Sequence, residues 1–90
     1  MKYKLVRHHE ALGQFLQDAR LEAGLTQKNL ADYLGYSSAQ FISNFERGIS
    51  LPPLTKLGMM AKKLKMGAKA KELPGFYAAA AERKAFEALR

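Results

Sequence analysis

The chain has 90 residues, 48% hydrophobic and 26% charged, which bounds it to one domain, or one domain with an appendage, and excludes a disordered chain. It has no cysteine, so disulfide frameworks, thiolate metal sites, iron–sulfur clusters and cysteine nucleophiles are excluded. The formal charge of +7 favours a polyanionic partner, either nucleic acid or an anionic membrane surface.

Residues 1–9 carry three positive charges and no negative one, and read as a basic N-terminal arm. No long apolar stretch follows, so no secretory signal is expected, and the expected compartment is the cytoplasm. The longest charge-free run, Tyr33 to Phe45, holds Ser, Gln, Asn and Gly. It falls short of the ~18–20 apolar residues of a membrane span, so no membrane association is expected. Lys2, Lys4 and Arg7 suit phosphate wrapping or minor-groove insertion, and equally suit a disordered arm. His8 and His9 are adjacent, which no helix or strand turns into a two-histidine metal site.

From Glu10 the apolar spacing is helical. Leu12, Phe15, Leu16, Ala19 and Ala23 form one stripe, and Gly24 ends it as a left-handed cap. Asp18 and Glu22 fall on the exposed side, a like-charge pair rather than a catalytic dyad. Thr26 is the expected N-cap of a second helix, Gln27 to Leu34, with Leu30, Ala31 and Leu34 inward and Gly35 closing it. Ser37 or Ser38 is the expected cap of a third helix that Gly48 stops.

Pro52 and Pro53 are expected to open a fourth helix with an apolar stripe of Leu54, Leu57, Met60 or Ala61, and Leu64. Lys56, Lys62, Lys63 and Lys65 on this helix read as a solvated face, with extension of a DNA-facing surface as the alternative. Residues 67–73 read as a linker, and residues 74–90 as an alanine-rich fifth helix. The expected fold is all-α with five helices: four in a helix-turn-helix domain over residues 10–66, and the C-terminal extra helix.

Two short helices joined by a glycine turn make a helix-turn-helix, whose second helix can lie in the DNA major groove. In the third helix Ile42 and Phe45 point inward, while Gln40, Ser43, Asn44 and Arg47 share the other face. Gln and Asn can bond adenine bidentately, Ser can serve as donor or acceptor, and Arg can meet guanine or phosphate. A merely solvated face more often carries Glu and Lys. Phe41 is read as core, with contact to a thymine methyl as the alternative.

Leu12 to Met66 resembles the DNA-binding domain of the Xre family, the phage Cro and repressor type of regulator. The features that carry the resemblance are Leu12-Gly13 with Arg20, then Gly24-Leu25-Thr26-Gln27, then Leu30-Ala31 with Leu34-Gly35. Ile42-Ser43 with Glu46-Arg47-Gly48 and the Pro52 helix follow in register. The turn before Ile42 is one residue longer than is usual for the family.

The resemblance implies a lambda-repressor-like fold and a double-stranded DNA partner. It assigns Gln40, Ser43 and Asn44 to bases, and Gln27, Ser38, Arg47 and Ser50 to phosphates. It makes Arg20 and Glu46 a structural salt bridge. A repressor is expected rather than an activator, because occlusion requires only occupancy. With both histidines in the arm and no glycine-rich phosphate loop, no enzyme activity, cofactor or metal is expected. Phe76, Ala79, Phe86 and Leu89 lie on or beside a seam expected to pair with its copy in a homodimer, with packing on the chain's own domain as the rival. The alternative function is an antitoxin or protein-interaction adapter whose C-terminal helix binds a partner protein.

Overall fold

The computed structural model describes residues 9–77, and among them every regular element is helical. Helices α1 (Glu10–Glu22), α2 (Gln27–Leu34), α3 (Gln40–Glu46) and α4 (Leu54–Lys63) are followed by a 3₁₀ helix at Gly67–Glu72. One further helical stretch covers residues 73–77.

The helix ends follow from local chemistry. Thr26 caps α2 through a capping box: its side chain accepts from the Asn29 N–H, and the Asn29 side chain accepts from the Thr26 N–H. At the end of α1 the Leu25 N–H reaches the Arg20 carbonyl and the Gly24 N–H reaches that of Leu21. This paired arrangement needs a left-handed residue, which Gly24 supplies with φ 71. Gly35 and Gly48 close α2 and α3 in the same way.

Leu12, Leu16 and Ala19 of α1 bury against Leu30, Ala31 and Leu34 of α2, Ile42 and Phe45 of α3, and Leu57, Met60 and Leu64 of α4. Gly13 lets α1 and α3 approach closely. A Cβ there would lie 2.4 Å from the Glu46 carbonyl oxygen and 2.7 Å from that of Phe45. Both are backbone atoms, so any side chain would push the helices apart.

Several local expectations change. Helix α3 begins later than either serine predicts, one residue past a Ser38 cap and two past a Ser37 cap, with Ala39 at the N-cap, because the longer turn carries the chain past them before Ser43 bonds back to Ala39. Helix α4 has Pro53 at its N-cap, and Leu54 is 71% exposed rather than part of the buried stripe. A residue at the first turn has no preceding turn to hold it against the core.

The stretch 67–73, expected as a linker, contains the 3₁₀ helix at Gly67–Glu72. Met66 and Leu73 are both buried in the core, and the 3₁₀ helix connects them. Beyond it Phe76 packs on Phe15 with ring centroids 5.4 Å apart, and the Tyr77 hydroxyl donates to the Pro52 carbonyl. Phe76, expected on a self-association seam, therefore spends its ring on its own domain. Ala79, Phe86 and Leu89 lie outside the described residues, as do Lys2, Lys4, Arg7 and His8.

Candidate nucleic-acid interface

The face of interest is built on α3, and α3 is set by a buried polar junction. Arg20, in the last turn of α1, donates from Nε and Nη2 to the two Glu46 carboxylate oxygens at 2.6 and 3.0 Å. Its Nη1 donates to the Leu25 carbonyl at 2.7 Å. The side chains are 8% and 2% exposed. A planar guanidinium bonded in this forked way fixes angle as well as distance. It ties α1, the turn before α2 and α3 into one unit.

Gln27, the first residue of α2, joins this junction: its Nε2 donates to Glu46 Oε1 at 3.0 Å. Half of the amide's donor capacity therefore faces inward, which its assignment to phosphate did not foresee. Its second Nε2 hydrogen remains, as does a backbone N–H at a helix start, where no intrahelical partner exists. Gln27, Glu46 and Arg47 line an open cleft of 550 Å³ together with Glu10, Ala11, Gln14 and Gln17.

The structure places Gln40, Ser43, Asn44 and Arg47 together on the outer side of α3. Gln40 and Arg47 are exposed, and Ser43 and Asn44 half-buried. Gln40 Nε2 donates to Asn44 Oδ1 at 2.9 Å, which joins two amides one turn apart. The Ser38 hydroxyl accepts from the Gln40 N–H at 3.3 Å, so Ser38 stabilises the start of α3 even though it is not the N-cap. Ser50 is half-buried and donates its N–H to the Asn44 carbonyl at 3.4 Å, folding the following loop back under α3.

A helix-turn-helix family matches residues 16–68, which run from the middle of α1 to the start of the 3₁₀ helix and contain the whole buried junction. The chain belongs to the Xre-like helix-turn-helix family. No match is found among curated proteins or among solved structures. As a member of this family the chain is a DNA-binding regulator. No helix among the described residues is long and apolar enough to cross a membrane.

Other side chains of the regulator take places that the sequence did not disclose. Phe41, read as core, is 43% exposed and stacks on Tyr36, with centroids 4.5 Å apart and planes at 12°. Burial pushes the Tyr36 phenol up from its ordinary value. Lys56 is not part of a free lysine face: it donates to the Leu34 carbonyl at 2.6 Å, so α4 caps the C-terminus of α2. Lys63 lies 4.9 Å from the Tyr33 ring centroid. The one local hint was Phe41's position between Gln40 and the buried Ile42, on the border of the two faces. Lys56 and Gln27 had no hint, since their partners are distant in sequence.

Proposed function

We propose that this regulator is a sequence-specific repressor that lays α3 in the major groove and blocks transcription by occupancy. The observation that carries the reading is the outer face of α3, where two linked amides, a hydroxyl and a guanidinium stand on a helix fixed by the buried Arg20–Glu46 pair. Gln40, Ser43 and Asn44 meet base edges. Gln27 offers its remaining amide hydrogen and its backbone N–H to phosphate at the N-terminus of α2. Arg47, Ser38 and Ser50 meet the backbone on either side. Two copies bind as a homodimer, because each helix-turn-helix reads one half-site and two-fold symmetry spaces two of them about 34 Å apart. Ala79, Phe86 and Leu89 are assigned to that contact.

The test is selection of bound sequences from a random duplex pool by the full chain. The expected product is a two-fold symmetric site whose affinity falls steeply with salt, at about 0.9 log units per neutralised phosphate for each log unit of salt. Gln40→Ala or Asn44→Ala should cost about 1–3 kcal/mol on that site and relax one or two base pairs. Gln27→Ala should weaken all duplexes alike. Unchanged affinity and site for the Gln40 and Asn44 variants would overturn the groove assignment.

A further inference from the structure

We propose that Phe41 reads the 5-methyl group of a thymine in the bound duplex, with Tyr36 as the positioning residue that holds its ring. The inference rests on the major-groove reading of α3 and adds to it an apolar contact that its polar stripe does not contain.

Phe41 is 43% exposed, between Gln40 on the outer face and the fully buried Ile42. Its ring is nevertheless fixed on one side. Tyr36 stacks against it, and the Phe45 ring meets Tyr36 edge-on at 5.9 Å. The Lys56 ammonium lies 5.3 Å from the Tyr36 centroid and is itself held on the Leu34 carbonyl. Four side chains from the turn, α3 and α4 thus form a brace whose outermost member is an apolar ring. A ring ordered before binding loses little conformational entropy when it makes a contact.

Its place on the helix decides what that contact is. Phe41 follows Gln40 directly and precedes Asn44 by one helical turn, so it flanks the linked amide pair. It stands near the start of α3, the end of a recognition helix whose side chains reach base edges. On the groove floor the bases offer donors, acceptors and one apolar group, the thymine methyl. Amides of the Gln and Asn type select adenine, and every adenine brings a thymine on the opposite strand. The methyl at or next to the amide-read pair is therefore the apolar surface that Phe41 meets.

The experiment uses the full chain and the duplex selected from the random pool. Each thymine is replaced singly by deoxyuridine, which removes the methyl and leaves every hydrogen-bonding group in place. The expected result is a loss of about fourfold at one or two thymines beside the amide-read pairs, the factor given by burial of one methyl group. Silence at the others is expected. Phe41→Ala should bind thymine and deoxyuridine duplexes equally at those positions, and Tyr36→Ala should weaken the discrimination.

A selected site without thymine at or next to an amide-read pair overturns the inference, as does silence at every thymine, and neither result needs a variant to fold. Discrimination that persists undiminished in Phe41→Ala also overturns it. Each of these leaves the major-groove reading standing. Failure to select any duplex would remove that reading, and this one with it.

Discussion

At the crossing of α1 and α3 the backbones approach so closely that a Cβ on Gly13 would enter the Glu46 carbonyl, and a buried ion pair locks the angle beside it. On the other side of the core α4 is held by Leu57, Met60 and Leu64, with open space around Gly58. The first junction combines directional bonds with backbone contact, so few alternative positions are open to α3. The second is packed by flexible apolar side chains, which accommodate small shifts. Rigidity is therefore concentrated where α3, the helix proposed for the groove, is anchored.

The sharpest way to break this contrast is to unpair the junction. Arg20→Ala or Glu46→Ala should cost about 3–5 kcal/mol in denaturant melts, because the surviving charge stays buried without its partner. Replacing both by apolar residues of similar volume should cost much less than either single change. Equal midpoints for the single variants and the wild type would show the pair to contribute nothing.

Glycine-to-alanine changes should have opposite signs in the two regions. Gly13→Ala should destabilise by about 1–3 kcal/mol through overpacking and should also weaken DNA binding by moving α3. Gly58→Ala, in mid-helix with no atom of another element within 4 Å of the added Cβ, should stabilise by about 0.5–1 kcal/mol. Thermal melts of the two variants side by side decide the point.

A smaller gain should come at the end of α4. There the Met66 N–H bonds to the Ala61 carbonyl and the Lys65 N–H to that of Lys62, the arrangement that glycine closes in the first three helices. Lys65 occupies the left-handed position with φ 52. Lys65→Gly should stabilise by about 0.5 kcal/mol, the relieved strain being partly offset by glycine's freedom in the unfolded chain. A lowered melting temperature would show that Lys65 makes a compensating contact.

A further effect concerns pH. Burial pushes the Tyr77 phenol from 10.0 up to about 12, so the unfolded chain releases this proton first. Its stabilising contribution is complete below about pH 10 and declines as pH rises from there towards 12. Wild type should therefore lose more stability than Tyr77→Phe between about pH 10 and 12. Parallel declines would place the phenol in water.

The glycine closures, the Thr26 cap of α2 and the outer face of α3 were legible because their causes are local, whereas the start of α3 was not. Gly24, Gly35 and Gly48 mark left-handed closures wherever the chain is read, and Thr26 with Asn29 specifies a capping box within four consecutive residues. The spacing of Gln40, Ser43, Asn44 and Arg47 places them on one face once a helix is granted. The same spacing put Leu54 on the α4 stripe, yet it is exposed, because coverage at a helix start depends on what lies across from it.

The sequence by itself determined that the described chain is a string of short helices, and that the third carries a polar stripe on its outer face. Tertiary structure alone decided that Gln27 turns one donor onto Glu46, that Lys56 caps α2, and that Phe41 stacks on Tyr36 at the surface. It also decided that residues 67–77 close over the core, with Leu73 buried, Phe76 on Phe15 and Tyr77 on Pro52. The physical reason is range. Backbone torsion, capping and helical period act over one or two turns, whereas the surroundings of a side chain are set by elements that lie far along the chain and meet it only after folding.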